Sequence, residues 1–242
     1  VNELMPLFDA DPRVEVRTRS RVEAVDVAGN VARAVRYTRD GKEEVVRADL
    51  VGLGANAMFN PVLLERSGLV GPEVGRGLVE QAAVKVDVML DGLDCFQGST
   101  YLTGHGYMLY GGEHRAQLAA GLIETKNRPD LRMERGKWRQ RLQLTVIFED
   151  LRLPDNRVVP HDDPKRPARA EWRRRSPYTM RAIRSLEPRL ERVLAPLPIE
   201  RMTVDKHPRK TESHVMGTTV MGHDAATSVV DAGLVHHKVR NL

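Results

Sequence analysis

The stretch AAVKVDVML, residues Ala82–Leu90, alternates apolar and polar side chains and decides the fold class of this chain. Successive side chains of a strand point to opposite faces, so this period of two is typical of a half-buried β-strand. A second such pattern follows later, at Leu142, Leu144, Val146 and Phe148. Strands and helices do not alternate strictly along the chain, which disfavours a doubly wound fold. We therefore predict an α+β class, mixed α and β, with an antiparallel sheet.

The first third of the chain predicts a β-meander. Extended runs at Val31–Thr38 and Glu44–Leu53 are separated by the turn signal Asp40-Gly41. The last run ends in Val51-Gly52-Leu53-Gly54-Ala55, which reads as a buried strand, and a short helix is expected to start at Asn60-Pro61.

The second half predicts one long helix. Ser176-Pro177 has the form of an N-cap followed by proline at the first helical position. Apolar residues repeat at helical spacing through Leu190, and Pro188 inside that pattern should bend or split the helix. The stretch Asp91–Gly112 is rich in Gly, Thr and Tyr and is expected to be a loop.

Composition limits the classes of function. The 242 residues carry 38 Lys and Arg against 33 Asp and Glu, a net charge of +5, with 5% aromatic residues. Nucleic-acid binding is disfavoured because the basic residues are dispersed and aromatics are few, and we interpret Arg173-Arg174-Arg175 as a solvated face. One cysteine, Cys95, excludes an internal disulfide, and the pair His236-His237 alone does not make a metal site, so no metal is expected.

Targeting signals are also absent from the printed sequence. No apolar run is long enough for a membrane span. The first residues lack the pattern of a secretion signal, so a cytoplasmic location is the default expectation. They also lack an initiating Met, and the N-terminus therefore reads as truncated.

The stretch with the clearest chemistry is Ser213-His214-Val215-Met216-Gly217-Thr218-Thr219-Val220-Met221-Gly222. Gly217 and Gly222 would let the backbone approach a flat ligand, and the threonines offer hydroxyls. A histidine in this position can act as a general base near neutral pH, although a hydrogen-bonded loop histidine is the other reading.

This stretch resembles the carboxy-terminal signature of the glucose–methanol–choline (GMC) flavoprotein oxidoreductases. The resemblance continues through Ser228-Val229-Val230-Asp231 to Asn241-Leu242. The segment from Ala48 to Leu69, with Gly54-Ala55 before Asn60-Pro61, is similar to the middle segment of the same family.

The resemblance implies three segments: residues 1–75 as part of an FAD-binding domain, with a β-meander plus strand, residues 76–206 as a substrate domain of antiparallel sheet plus helix, and residues 207–242 as a return segment into the FAD-binding domain. It implies FAD as cofactor. Val22 is expected to meet the adenine, Gly54 and Ala55 are expected to approach the cofactor, and His214 is expected to be the catalytic base.

Two departures from the family accompany the resemblance. The Gly-x-Gly-x-x-Gly phosphate loop that opens the family does not occur in the sequence. The chain also stops at Asn241-Leu242, where the family continues to a second catalytic residue. The sequence therefore reads as a fragment of a larger enzyme.

The expected reaction is oxidation of a CH–OH group in an alcohol or sugar-type substrate. His214 would accept the hydroxyl proton while a hydride passes to the flavin, and a separate electron-acceptor partner is possible. The alternatives are a truncated, non-catalytic fragment of such a flavoprotein and an FAD-retaining, lyase-like relative.

Overall fold

Two compact units make up the chain in the computed structural model, which describes residues 5–95, 102–127, 130–163 and 165–242. The first unit comprises Val1–Val74, Val159–Arg169 and Thr219–Leu242. The second comprises Gly75–Val158 and Ala170–Thr218.

The first unit is built on an antiparallel meander. Its strands are β1 (Ser20–Ala28), β2 (Val31–Arg39) and β3 (Lys42–Arg47), in that spatial order. Its helices are α1 (Met5–Ala10) and α2 (Asn56–Arg66). Both hairpin turns use left-handed backbone, which glycine adopts at little cost, at Gly29 and Gly41. The core of this unit joins meander, helix and carboxy-terminal segment through Val25, Ala32, Val51, Leu64, Leu69, Val229 and Val239.

Helix α2 begins four residues earlier than the sequence predicts. The expected start was Asn60-Pro61, but Pro61 lies inside the helix. Two asparagine side chains satisfy early backbone donors: Asn60 Oδ1 accepts from the Ala55 N–H, and Asn56 Oδ1 accepts from the Met58 N–H, each at 2.8 Å. Side-chain hydrogen bonds of this kind let the helix begin before the proline. Pro61 has no N–H to donate, and this costs little near the first turns of a helix.

The second unit contains a five-stranded antiparallel sheet in the order β10-β4-β7-β6-β5. The strands are β4 (Ala82–Leu90), β5 (Leu102–Leu109), β6 (Gly121–Lys126), β7 (Arg141–Phe148) and β10 (Ile199–Val204). The helices are α3 (Pro177–Arg184) and α4 (Leu186–Val193), with a 3-10 turn at Glu113–Ala116. A separate two-stranded sheet pairs β8 (Arg157–Pro160) with β9 (Ala168–Glu171).

The core of the second unit lies between one sheet face and the two helices. Val84, Val86 and Val88 of β4 and Val146 and Phe148 of β7 are fully buried there against side chains of both helices, Ile183, Leu186 and Leu190. Burial of these apolar side chains is the main favourable contribution to the stability of the unit. The α+β class and the antiparallel sheet are confirmed.

Two further expectations have opposite outcomes. The helix is split as predicted, between Arg184 and Leu186, and Ser176 caps it by accepting a hydrogen bond from the Thr179 N–H. The loop expected over Asp91–Gly112 is wrong for Leu102–Leu109, which form the edge strand β5. Pairing with β6 overrides the weak strand propensity of its two glycines, and the ladder shifts register beside them. Residues 96–101 of that stretch lie outside the described residues.

Among the residues described, no helix is long and apolar enough to cross a membrane. Within the same residues, no group of three His, Cys, Asp or Glu side chains is arranged to hold a metal ion.

Candidate active site

The segment that carries His214 runs antiparallel to the start of β4, inside the second unit. The Arg209 N–H donates to Ala83 O at 2.9 Å, and Val79 and Met216 exchange two backbone hydrogen bonds of 2.9 and 2.8 Å. Farther along, the Gly75 N–H donates to Thr218 O at 2.8 Å. The backbone on both sides of His214 is therefore fixed.

Gly217 allows the close approach of the two paired segments, not of a flat ligand. Its φ is +88°, and a Cβ on it would lie 2.1 Å from the carbonyl oxygen of Gly77. Gly222 is similarly close to its own chain, since an added Cβ would lie 2.9 Å from the Cβ of Ser228. The expectation that these two glycines open space for a ligand is therefore wrong. They allow segments of the chain to approach each other closely.

A buried carboxylate holds the turn before His214. Glu80 is 2% exposed, and its Oε2 accepts from the Thr211 hydroxyl at 2.6 Å. Its Oε1 accepts from the backbone N–H of Gln81 at 2.9 Å and of His214 at 3.4 Å. The turn includes Ser213 at φ +63°, a left-handed conformation that costs energy for a side chain other than glycine. The hydrogen bonds to Glu80 stabilise it.

The imidazole of His214 is exposed and oriented by one side chain. Its Nδ1 lies 2.8 Å from Oε1 of Gln81. An amide oxygen only accepts, so Nδ1 carries the proton and the lone pair is on Nε2. Nε2 has no hydrogen-bond partner among the residues that the structure describes. This tautomer is the one that can accept a proton from a ligand hydroxyl.

The Arg175 side chain joins the Glu80-Gln81 segment to the segment that carries His214. This side chain is only 8% exposed, and it donates to the carbonyl oxygens of Glu80, Gln81 and Arg209, each at 3.0 Å. Burial lowers the pKa of the Arg175 guanidinium, and the nearby carboxylates of Asp150 and Glu80 oppose that shift. The solvated-face interpretation holds for Arg173 and Arg174, which are exposed, and is wrong for Arg175.

A polar row crosses the sheet on the face opposite its apolar core. By strand register, Lys85 of β4 lies beside Thr145 of β7, which lies beside Glu124 of β6, which in turn lies beside His105 of β5. His105 and Glu124 are 3.5 Å apart. Alternation along β4 places Gln81, the partner of His214, on the same face as Lys85. Polar side chains thus continue across this face of the sheet, starting from the strand next to His214.

The predicted cofactor residues lie in the other unit. Val22 is on β1 beside a register shift and is 36% exposed. Gly54 is exposed, an added Cβ on it would meet no atom within 4 Å, and Ala55 is next to it at the start of α2. The structure places Gly54 and Ala55 together, and it places Val22 on a different element.

A groove of about 430 Å³ adjoins Gly54 in this unit. Its walls are mostly apolar, and they include Leu53, Val230 and Val235 together with Gly52, where an added Cβ would meet nothing within 4 Å. Val22, Gly54 and Ala55 are not among its lining residues. The volume is within the range of small-molecule sites, about 300–1,000 Å³.

These residues fit one part of FAD and not another. Open backbone at Gly52 and Gly54 beside apolar walls suits a flat ring. The N–H groups of Ala55 and Met58 at the start of α2 already donate to asparagine side chains, so they do not form a cradle for a diphosphate. Among the described residues, open backbone and an apolar groove thus lie together here, and the start of α2 adds no cradle of free N–H groups.

Sequence reasoning did not identify Glu80, Gln81 or Arg175. Glu80 and Gln81 precede an apolar strand and are more than 130 residues from His214, so no spacing links them. The one local signal is the polar pair Glu80-Gln81 between the apolar residues Leu78-Val79 and Ala82-Ala83. A buried polar group in such a run needs a partner, but the sequence does not say which.

Comparisons with known proteins agree with the resemblance seen in the sequence. Residues 154–242 match the family model described as GMC oxidoreductase. The fold is similar to the crystal structure of pyridoxine 4-oxidase from Mesorbium loti, with a TM-score of 0.67 and 20% sequence identity over 96% of this chain and 53% of that one. The chain thus spans about half the length of that protein. No curated protein sequence matches the chain.

Proposed function

We propose that this chain, whose carboxy-terminal part matches the GMC oxidoreductases, acts in FAD-dependent oxidation of the CH–OH group of a small alcohol or sugar-type substrate. The observation that carries the proposal is the state of His214. Its ring is exposed, its Nδ1 is bound to Gln81 at 2.8 Å, and it lies in the segment that matches the family.

The proton-transfer step follows from that tautomer. The substrate hydroxyl donates to His214 Nε2, which takes the proton as the C–H bond breaks. The resulting imidazolium keeps its Nδ1–H bond to Gln81, and that bond strengthens because the donor is now charged. Gln81 is thus a positioning residue, and Glu80 and Arg175 hold the backbone from which both side chains extend.

FAD, when bound, supplies the hydride acceptor for this chemistry. Gly52 and Gly54, with the apolar groove beside them, would hold one of its flat rings, and Ala55 would contact it through the backbone. Val22 would contact the adenine, as the resemblance implies.

The polar row on the sheet face beside Gln81 favours polar substrates. Lys85 and His105 lie on the same sheet face as Gln81, have side chains that are 39% and 44% exposed, and would offer hydrogen-bond donors to hydroxyl groups. We therefore expect alcohols with several polar substituents to be preferred over plain aliphatic ones. Pyridoxine, the alcohol named for the similar structure, is one compound of this kind.

The test uses the protein that carries this sequence, loaded with FAD. It is mixed without oxygen with a panel of alcohols that includes a sugar, pyridoxine and a plain aliphatic alcohol, and loss of the visible flavin absorbance is followed. The proposal predicts bleaching by at least one polar alcohol and little by the aliphatic one.

The alternatives give different results in the same experiment. A protein that retains FAD without bleaching by any alcohol favours the lyase-like relative. A protein that does not retain FAD favours the non-catalytic fragment, for which the missing phosphate cradle is the supporting observation.

A further inference from the structure

A polar cavity lies in the second unit, where α4 faces the end of β5. It has a volume of about 320 Å³ and is lined by Met108, Leu109, His114, Arg189, Arg192 and Val193. No carboxylate is among these residues. Three of the six can carry a positive charge, and the other three are apolar.

Arg189 is the unusual member of this set. It is 8% exposed, and its Nη1 is a buried donor with no hydrogen-bond partner. No hydrogen bond or ion pair joins the side chain of Arg189 to any residue that the structure describes. A buried charge without a partner is costly, and native structures normally compensate such groups.

The neighbours increase that cost. Arg192 lies one helical turn away on the same face of α4 and carries the same charge. Burial, and then the charge of Arg192, lower the pKa of Arg189. His114 contributes no negative charge, because an imidazole is either neutral or cationic, and its Nε2 donates to the carbonyl oxygen of Leu109 at 3.1 Å.

We propose that Arg189 and Arg192 form a binding site for a phosphate group, either free phosphate or the phosphate of a small phosphomonoester. A guanidinium presents several N–H donors in a plane and pairs with phosphate oxygens in a bidentate manner. The anion compensates the two like charges and satisfies the orphan donor of Arg189. The apolar side chains Met108 and Val193 leave room for the organic part of a phosphomonoester.

This site is independent of the proposed oxidation, because Gln81 and His214 are not among its lining residues and the hydrogen bond that orients His214 involves none of them. Arg189 also differs from other buried basic residues in its hydrogen bonding. Arg175, for comparison, also has a largely buried side chain, but its donors are bound to three carbonyl oxygens.

The test is calorimetric titration of the chain with inorganic phosphate, with ionic strength held constant by chloride. We expect saturable binding at one site. Arg189→Met and Arg192→Met should each weaken it at least about tenfold, because each removes a charge-assisted contact. Arg184→Met is the matched control, since Arg184 is an exposed arginine of α3, and it should bind as the unchanged chain does.

Glycerol phosphate as a second titrant distinguishes the two sources of the phosphate group. Tighter binding than that of inorganic phosphate indicates a phosphomonoester, and equal or weaker binding indicates free phosphate.

Thermal melting supplies a second readout. Without phosphate, Arg189→Met should melt higher than the unchanged chain, because the unpaired buried charge is removed. With phosphate, the unchanged chain and Arg184→Met should gain stability and Arg189→Met should not. If Arg189→Met fails to fold, the exposed Arg192 carries the test through Arg192→Met. Absence of saturable binding, or equal binding by Arg192→Met and Arg184→Met, overturns the proposal.

Discussion

The His214 segment of the second unit and the Gly54 segment of the first unit are organised in opposite ways. Around His214, nearly every polar group is tied to the chain itself, through the buried Glu80 and the clamp of Arg175. Around Gly54, the backbone is exposed and an added Cβ would meet nothing within 4 Å.

This difference matches two requirements of the proposed chemistry. A proton acceptor needs a fixed tautomer and direction, since general acid–base catalysis depends on geometry before pKa. A surface that receives a flat ring needs open backbone and few side chains. The comparison therefore predicts that substitutions near His214 disturb stability and rate, whereas substitutions near Gly54 disturb only ligand binding.

The largest expected effect is at Gly217. In Gly217→Ala the new Cβ would overlap the Gly77 carbonyl, in a left-handed backbone that alanine disfavours. We expect a loss of about 3 kcal/mol or more in the free energy of unfolding, from backbone strain and overpacking together. Chemical denaturation measures it. Gly41→Ala is the control, since Gly41 has a similar φ of +78° but open space, and it should lose only about 1–2 kcal/mol. Equal losses would show that the close approach to Gly77 is unimportant.

A smaller effect, on rate, is expected at Gln81. Gln81→Met removes the acceptor of the Nδ1–H bond and should slow flavin reduction by about tenfold, the effect of losing one orienting hydrogen bond. Gln81→Glu keeps an acceptor oxygen and should restore most of the rate. A positioning role requires this rescue. A purely structural role predicts instead that both variants have lower melting temperatures and that both lose rate to the same extent.

The pH dependence of stability should come partly from His236 in the first unit. Burial lowers the pKa of His236, with further contributions from Lys238 and His237, and its Nδ1 accepts from the Lys238 N–H at 3.2 Å. The unfolded imidazole takes up a proton near pH 6.5 while the folded one resists it, so stability falls as the pH falls through that value. His236→Asn should flatten that slope in thermal melts. An unchanged slope would assign the dependence to other groups.

The smallest effect on stability is expected at Gly54. Gly54→Val adds a side chain to open, exposed backbone, so the free energy of unfolding should change by no more than about 0.5 kcal/mol. FAD affinity, measured by fluorescence titration, should fall because the valine side chain occupies the approach of the ring. A variant with unaltered affinity would remove Gly54 from the cofactor surface.

Local patterns in the sequence were sufficient where the structure depends on neighbours in the chain. The alternation of Ala82–Leu90 identified β4, and Ser176-Pro177 identified the start of α3. Strand β5 was missed because its glycines indicate a loop, and only its pairing with β6 makes it a strand. The partners of His214 were missed for the same reason, since Gln81 is distant in the chain and reaches it only through the paired segments. The orientation of His214 is thus a property of the fold, and residue type and family resemblance do not supply it.

The most direct test of the account is anaerobic stopped-flow reduction of the FAD-loaded protein by an alcohol substrate, with His214→Ala compared with the unchanged protein. The account predicts that the rate of flavin reduction falls by about 10²–10⁴, the usual contribution of a positioned base, while FAD affinity stays the same. Reduction at an unchanged rate would contradict the assignment of His214 as the proton acceptor.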